Sequence, residues 1–229
     1  MRCGAMPIKR MAGAGGRQRA SGWRMKKDQT IEKILAAANS EITARGIDGA
    51  KIERIAKEAG VTKQLIYHYF KTKDQLYSAI LESTARNMNI FSDVDRYKKM
   101  APEEAICSVV DMIVDEFIRN PSYAALTLDQ ALHDGEHISE QSLFIPNIKQ
   151  FVAEVLSPIL QRGAEAGVFK SPLNPEIIFW VIFNLASASF LNQKVMSAAS
   201  SVDFATPEGI ELWREEITTI ILRGLQNNR

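Results

Sequence analysis

The chain has 229 residues, with 28 Lys and Arg against 27 Asp and Glu, a formal net charge of +1 and 46% apolar residues. These values are ordinary for a soluble globular protein and exclude an intrinsically disordered chain, which combines low hydrophobicity with high net charge. Only two cysteines are present, Cys3 and Cys107, which excludes a disulfide-stabilised scaffold. No apolar run reaches about 18 residues and the start lacks a secretory-signal pattern, so we expect no membrane span and a cytoplasmic location.

Basic residues are concentrated in the first third of the chain. Residues 1–27 contain eight Lys or Arg and no acidic residue, residues 50–74 contain six basic and three acidic residues, and residues 75–229 carry a net charge of −8. Such a distribution indicates a region that binds a polyanion, although basic tails are also common as solvated segments. Because residues 1–27 are rich in glycine and show no apolar periodicity, we expect a flexible basic arm.

Apolar residues recur at helical spacing from Asp28 onward, and no segment alternates as a strand does. Glycine and proline breaks and hydroxyl caps divide this pattern into helices over about 28–46, 51–59, 63–69, 72–91, 102–119, 122–133, 141–166, 174–196 and 207–226. Pro158 is expected to kink or divide the helix over 141–166. The sequence therefore predicts an all-α fold of about nine helices, with a three-helix head over 28–74 and a larger helical domain over 75–229.

The two short helices over 51–59 and 63–69, joined by a glycine-containing turn, have the pattern of a helix-turn-helix. In that motif the second helix enters the major groove of DNA with its N-terminal residues toward the base edges. Thr62, Lys63 and Gln64 hold these positions, where Lys can donate to guanine and Gln can pair with adenine. The residue types therefore predict sequence-specific reading of double-stranded DNA.

Further polar side chains are placed to bind phosphate. The hydroxyls of Tyr67 and Tyr69 can donate to phosphate oxygens, and Lys73 lies near the start of the next helix, where free backbone N–H groups also favour an anion. The alternative is that this aromatic run belongs to the core. For Phe70 we expect the core, and His68 is compatible with either position.

The segment from Ile52 to Tyr77 resembles the DNA-binding signature of the TetR (tetracycline-repressor-like) transcriptional regulators. That family shows an I-A-x-x-A-G-V-S/T segment, a Y-x-Y-F segment and a K-x-x-L segment, which are matched here by residues 55–62, 67–70 and 73–76. The resemblance covers about residues 30–77 and departs from the family pattern at Ile42, where the family often has Phe.

The resemblance implies a role for each matched residue. The helix from Lys63 to Tyr69 becomes the recognition helix, with Lys63 and Gln64 at the base-reading places. Phosphate contacts are implied for Thr62, Tyr67, Tyr69 and Lys73. Lys51 stands where the family often has a hydroxyl residue that touches phosphate, a contact that lysine can make through its charge.

The helix over 174–196 is apolar on more than one face, so it must be buried on more than one side. A partner subunit on one side and the protein core on the other would satisfy this, and residues 186–189 are small enough for close helix approach. A central helix of a monomer is the alternative. The TetR resemblance favours a homodimer formed through the helices over 174–196 and 207–226.

A small-molecule site is expected in the larger domain, because its aromatic side chains occur with few polar groups, as in most ligand pockets. Phe117, Trp180 and Asn184 are the candidates, although each is individually more often an ordinary core or surface residue. The sequence shows no Gly-rich phosphate loop, no nucleophile elbow and no metal-spaced cluster of Cys and His, so we expect no enzymatic activity, no cofactor and no metal site.

The residues and the resemblance together favour a transcriptional repressor that a small-molecule effector releases from a near-palindromic DNA operator. Two alternatives stay open at this point. The first is a transcriptional activator, or a regulator that has no ligand. The second is a helical module that binds a small molecule or a partner and whose helix-turn-helix is inert toward DNA.

Overall fold

The computed structural model describes residues 15–87, 94–140 and 142–227, with side chains from Lys27 onward. These residues form α1 (Gly15–Gly49), α2 (Ile52–Ala59), α3 (Lys63–Phe70), α4 (Lys73–Asn87), α5 (Val94–Lys99), α6 (Pro102–Arg119), α7 (Ser122–Leu132), α8 (Phe144–Phe151), a π-helical segment (Val152–Leu156), α9 (Ser157–Glu165), α10 (Pro175–Leu191), α11 (Gln193–Ala199) and α12 (Pro207–Leu225). The described ranges contain no β-strand, only an isolated antiparallel bridge between Phe169 and Gln226. The predicted all-α fold is confirmed.

Two helices are additional to the nine predicted. α5 is a short helix before α6, and α11 arises because the helix expected over 174–196 ends at Asn192, whose φ of −115° and ψ of 17° are not helical. In the part of the chain that the structure describes, no single helix is long and apolar enough to cross a membrane. α10 and α11 reach that length and hydropathy only together, across a bend of 76°.

The helix expected over 141–166 is irregular in the turn before Pro158. It runs as α8, the π-helical segment and α9, and the N–H of Ser157 donates to the carbonyl of Val152, five residues earlier. We attribute this widened turn to Pro158, because a proline lacks an N–H and its ring clashes with the carbonyl four residues before it.

The first helix begins earlier than the sequence predicts. Residues 15–27, expected as part of a flexible arm, are helical and continue α1 upstream, while residues 1–14 of that arm lie outside the described residues. The physical reason is that a helix, once nucleated, gains one hydrogen bond for each residue it adds. The predicted break at Gly46 is present, since its φ of 68° and ψ of 173° interrupt the helical geometry within α1.

The head, which we define as α1–α4, is built around one apolar cluster. Ile34 of α1, Ile55 of α2, Ile66 of α3 and Tyr77 of α4 are buried in it. Leu126 belongs to the same cluster and is fully buried, although it lies on α7 and is distant in sequence. The core of the head is therefore completed by a side chain from the rest of the protein.

The body, which we define as α5–α12, has a second apolar cluster around α6. α10 contributes Phe179 and Ile182 to this cluster, and α12 contributes Ile217 and Ile221. Ala85, near the end of α4, also belongs to it. α4 therefore contacts both clusters and connects the head to the body, and the predicted domain boundary at residue 74 falls in its first turn.

α10 and α12 each leave one apolar side uncovered. Their exposed apolar residues, which we call the apolar face, are Ile177, Trp180, Val181, Leu212 and Ile220. Ile177 and Ile220 are the most open of these, with 60% and 58% of their surface exposed. Several exposed apolar side chains on two packed helices are characteristic of a contact with another protein.

Candidate nucleic-acid interface

The turn between α2 and α3 is fixed by a glycine and a threonine cap. Gly60 has φ 67° and ψ 33°, the left-handed conformation that ends many helices, and the N–H of Val61 donates to the carbonyl of Ala56 at 2.9 Å. A side chain at Gly60 would meet no atom within 4 Å, so glycine is needed here for its backbone angles and not for space. Thr62 then caps α3, accepting from the N–H of Leu65 at 3.2 Å.

α3 is amphipathic, with its core side and its open side clearly separated. Ile66 and Phe70 are buried in the head, as the sequence predicts for Phe70. The open side carries the predicted DNA-contacting residues Thr62, Lys63, Gln64 and Tyr67 together with His68. Tyr67 is 47% exposed, which is unusual for a large aromatic residue that serves only packing. The structure thus brings four of the predicted site residues onto one exposed surface.

An ion pair joins the two helices of the motif at this surface. The Nζ of Lys63 donates to Oε1 of Glu53 on α2 at 2.8 Å, and both side chains are exposed. The hydrogen bond and the charge of the partner raise the pKa of Lys63 and lower that of Glu53. Lys51 is also exposed and adds to the lowering of the Glu53 pKa through its charge. Two of the three predicted DNA-contacting lysines, Lys51 and Lys63, therefore act on one carboxylate.

Tyr69 and Lys73 are less open than the other predicted contact residues. Tyr69 is half-buried and packs against the core of the head, with the Nζ of Lys27 lying 6.0 Å from the centre of its ring. Lys73 is half-buried too, and its Nζ donates to the carbonyl of Asp48, at the end of α1, at 3.5 Å. These two residues lie at the α3–α4 end of the surface, where they also have structural contacts.

Sequence reasoning missed the residue that positions α2. Glu41 of α1 is a buried carboxylate that accepts hydrogen bonds from the guanidinium of Arg54 and, at 3.2 Å, from the N–H of Lys51. Arg54 in turn donates to the carbonyl of Gly49 at 2.7 Å, and Arg45 lies 3.5 Å from Glu41. The available signal was an acidic residue placed within the apolar stripe of the first helix.

The electrostatic balance at Glu41 favours its charged form. Burial raises the pKa of the carboxyl group, but the hydrogen bonds from Arg54 and Lys51 and the positive charges nearby outweigh it, so the pKa lies below its usual 4.5. Glu41 therefore fixes the start of α2 and the end of α1 while it is ionised.

Glu41→Gln is expected to make the free energy of unfolding depend less on pH under acid conditions. Because folding lowers the pKa of Glu41, its contribution is complete above the unfolded-state pKa near 4.5 and is lost as the pH falls through the lower folded-state pKa. At neutral pH we expect a loss of about 1 kcal/mol, the difference between a charged and a neutral hydrogen bond. Urea unfolding at neutral pH and below about pH 4.5 measures both effects.

The control for this prediction is Glu53→Gln. Glu53 also has a lowered pKa, but its carboxylate is exposed, so solvent screens its pair with Lys63. We expect little change in its unfolding curves at either pH. An equal response of the two variants would contradict the assigned role of Glu41.

The three residues predicted for a ligand site are not brought together. Phe117 is buried in the body core, where its ring stacks on that of Phe190 with centroids 5.0 Å apart. Trp180 is exposed on the apolar face. Asn184 is exposed as well, and its Nδ2 donates to the carbonyl of Trp180 at 2.7 Å, one turn earlier in its own helix. Phe117 is therefore buried away from Trp180 and Asn184, which are exposed one turn apart on α10.

A cleft of about 1120 Å³ opens instead between α8, the π-helical segment and the start of α10. Its lining includes Ile145, Ile148, Lys149, Phe179 and Trp180. Of the three predicted residues, Trp180 is the one that lines it. The volume is slightly above the range of about 300–1,000 Å³ that is usual for small-molecule sites.

Beside the cleft lies a small, mainly apolar space of about 30 Å³, which is large enough to hold a water molecule. Ile148 and Phe179 line both spaces and so form the wall between them. The other lining residues are Met112, Ile113, Glu116, Tyr123, Phe151 and Phe183. Glu116 is a buried carboxylate in this aromatic setting and accepts from Nδ2 of Asn120 at 2.6 Å.

Both parts of the chain match known sequence families. Residues 34–80 match the family described as bacterial regulatory proteins, tetR family, and residues 102–221 match the tetracyclin repressor-like C-terminal domain. The chain is 28% identical over 202 residues to the HTH-type transcriptional repressor NicS of Pseudomonas putida, covering 87% of this chain and 93% of NicS. It is 32% identical over 160 residues to the HTH-type transcriptional repressor SCO4008 of Streptomyces coelicolor, covering 68% of this chain and 76% of that protein.

A solved structure has the same arrangement of helices. The fatty acid degradation regulator FadR from Bacillus halodurans superposes with a TM-score of 0.65 and 20% sequence identity, covering 87% of this chain and 97% of FadR. At that identity the likeness concerns the fold alone. The two family matches include the helix-turn-helix and most of the body, and the second spans more than half of the chain by itself. The chain therefore belongs to the TetR family of bacterial regulatory proteins.

Proposed function

We propose that this protein is a homodimeric transcriptional repressor that binds a near-palindromic DNA operator and is released from it by a small-molecule effector. The observation that carries the proposal is the exposed side of α3, which presents Thr62, Lys63, Gln64 and Tyr67 on a helix whose other side is locked into the head. Two relatives of the chain are named as transcriptional repressors, which supports repression over activation. Operator binding requires a cytoplasmic location and needs no catalytic activity.

The contacts expected on DNA divide into two kinds. Lys63 and Gln64, at the start of α3, are assigned to base edges, where Lys63 has to exchange its hydrogen bond with Glu53 for an acceptor on the base. Phosphate contacts, which position the protein but carry no direct sequence information, are assigned to Lys51, Thr62, Tyr67, Tyr69 and Lys73. Tyr69 and Lys73 are proposed to make these contacts from half-buried positions.

A homodimer supplies the second recognition helix. The apolar face of α10 and α12 is proposed as the contact between subunits, through the ranges 174–196 and 207–226 predicted from the sequence. Two heads held by such a contact can read two half-sites one helical turn of DNA apart, about 34–36 Å. The twofold symmetry of the dimer requires the operator to be near-palindromic.

The effector is proposed to enter the cleft beside Trp180 and to move Ile148 and Phe179, so that the small aromatic space behind them joins the cleft. Glu116 supplies a polar anchor there, which favours a mainly apolar ligand with a positive charge or a hydrogen-bond donor. The effector then stabilises a spacing of the two heads that no longer fits the operator. Typical coupling between two such sites is about 1–3 kcal/mol, and DNA must weaken effector binding by the same factor.

Selection of DNA from a random pool by the purified protein, at two salt concentrations, tests operator binding. We expect enrichment of a near-palindromic sequence that persists at the higher salt concentration. Enrichment of no sequence, or binding that disappears uniformly with salt, would instead indicate general electrostatic attachment and contradict the proposal. The inert-head alternative would then be favoured.

Gln64→Ala and Tyr67→Phe are expected to act differently on the selected operator. Loss of Gln64 should relax preference at one base pair in each half-site, by about 1–3 kcal/mol of discrimination. Loss of the Tyr67 hydroxyl should weaken binding to all sequences alike and leave preferences unchanged. Titration of operators with single base changes measures both, and Gln161→Ala, an exposed glutamine on α9, is the matched control. Unchanged preferences in Gln64→Ala would exclude Gln64 as a base-reading residue.

A further inference from the structure

Three side chains with metal-binding atoms meet at the end of α7. Nδ1 of His133 lies 2.8 Å from Oδ1 of Asp129, and Nδ1 of His137 lies 2.9 Å from Oδ2 of the same carboxylate. One donor atom from each residue can be chosen so that all three lie within 4.8 Å of one another. The imidazole ring centres are 5.0 Å apart. Both histidines therefore converge on one carboxylate.

The local backbone produces this convergence. Asp129 and His133 are four residues apart and share one side of α7. Beyond the helix, Asp134 with φ 49° and Gly135 with φ 75° turn the chain back, so that His137 returns to the same side. The N–H of Gly135 donates to the carbonyl of Gln130 at 3.0 Å and holds this turn.

We propose that Asp129, His133 and His137 form a binding site for one divalent transition-metal ion of the zinc type. Two imidazoles and one carboxylate are a ligand set that such ions accept, and three protein ligands leave a coordination position for water. Asp129 is only 5% exposed, so the two imidazoles and not solvent are the partners of its carboxylate. Both imidazoles are partly exposed, which gives an ion a path from solvent.

The site lies where the body contacts the head. The ring of Tyr77, which is buried in the core of the head, packs edge-on against the imidazole of His137 with centroids 4.8 Å apart. The hydroxyl of Ser78, also on α4, donates to the carbonyl of His137 at 3.1 Å. One turn before Asp129 on α7, Leu126 completes the core of the head. An ion held here would fix the end of α7 and its following turn, from which His137 contacts α4.

From its position, the ion is expected to change the affinity of the protein for its operator. This part of the inference rests on the proposed operator binding. By fixing the turn that holds His137 against Tyr77 and Ser78 of α4, the ion restricts the orientation of the head relative to the body. Metal binding then changes the affinity for the operator, and operator binding changes the affinity for the metal by the same factor. We expect a change in operator affinity of at least about fivefold, the lower end of typical coupling.

The proposed site departs from the expectation from the sequence that there is no metal site. Two histidines and an aspartate in a chain of three histidines did not show the spacing of a known metal motif. The signal was nevertheless present as the spacing of four between Asp129, His133 and His137. The left-handed turn at Asp134 and Gly135 returns His137 to Asp129, which a continued helix would place about two turns away.

Titration of the metal-free, full-length protein with Co²⁺, followed by its visible absorption, tests the site without DNA. We expect one ion per chain, with no thiolate-to-metal absorption band, since no cysteine belongs to the proposed ligand set. His133→Gln and His137→Gln should each weaken binding about 100-fold or more. His68→Gln, which changes the histidine outside the cluster, should bind as the unaltered protein does. Circular dichroism of each metal-free variant verifies that it is folded.

Several results would overturn the proposal. The first is that the unaltered protein does not bind one Co²⁺ ion per chain. The others are that His133→Gln or His137→Gln binds Co²⁺ as tightly as the unaltered protein, or that a thiolate-to-metal absorption band appears. A second titration measures operator affinity with and without Zn²⁺. Unchanged affinity in the metal-loaded protein would overturn the coupling but not the site. Failure to bind any operator would overturn the proposed function, while the Co²⁺ titration would still decide whether the metal site exists.

Discussion

Ile220→Asp is expected to yield a folded monomer that binds the operator about 10²–10⁴-fold more weakly than the unaltered protein. Ile220 is 58% exposed on α12, so aspartate at this position costs the isolated subunit little. In the proposed dimer the same carboxylate would be buried against an apolar surface without a partner, which is strongly unfavourable. The second head would then no longer be held near its half-site, and the gain from linking two binding events, about 10²–10⁴-fold, would be lost.

Light scattering during size exclusion, together with operator titration, measures both parts of this expectation. Ile177→Asp on α10 should behave in the same way, since Ile177 belongs to the same apolar face. The matched control is Leu132→Asp, which places the same charge on an exposed apolar residue of α7. A dimer that survives both substitutions on the apolar face, or an unaltered protein that is already monomeric, would contradict the proposed contact.

Gly209→Ala is expected to destabilise the body by about 3 kcal/mol, the upper end of the usual cost of overpacking. A Cβ atom at Gly209 would lie 2.0 Å from the carbonyl oxygen of Asp203 and 2.7 Å from its carbonyl carbon. The obstacle is backbone and not the end of a flexible side chain. That backbone is also fixed, because the hydroxyl of Thr206 donates to the same carbonyl at 2.9 Å and accepts from the N–H of Gly209 at 3.1 Å.

The matched control lies on the same helix. A Cβ atom at Gly224 would meet no other atom within 4 Å, and Gly224 is exposed near the end of α12. Gly224→Ala should therefore stabilise the protein by up to about 1 kcal/mol, because alanine favours the helix more than glycine does. If Gly209 packs closely against the carbonyl of Asp203, the urea midpoint of unfolding should fall in Gly209→Ala and rise in Gly224→Ala. Shifts of the same sign and size would contradict it.

The helix-turn-helix could be predicted closely because its determinants are local. Gly60 marks the end of α2, Thr62 caps α3 three residues before the N–H it binds, and Ile66 and Phe70 have the spacing of a buried helix side. Each of these signals acts within one or two turns of the chain. Residues 15–27 are helical in the structure, although their composition is typical of a flexible arm, and we attribute this to helix propagation along α1.

Contacts between distant segments could not be predicted in the same way. The sequence does not indicate that Glu41 meets Arg54 across the α1–α2 turn, or that Phe117 is buried in the body while Trp180 is exposed. Asn184 shows the difficulty at a single residue. A polar residue within an apolar helix can line a ligand site, but here its amide only binds the carbonyl one turn before it.

The presence of Leu126 in the core of the head limits how modular this protein is. A fragment that ends after α4 would expose the apolar side chains that Leu126 covers, so the head is not expected to fold as an autonomous unit. A chimaera that joins this head to the body of another regulator would have to provide an equivalent of Leu126 on its own α7. Exchange of DNA specificity between such proteins is therefore simpler by grafting the exposed residues of α3 than by exchanging whole domains.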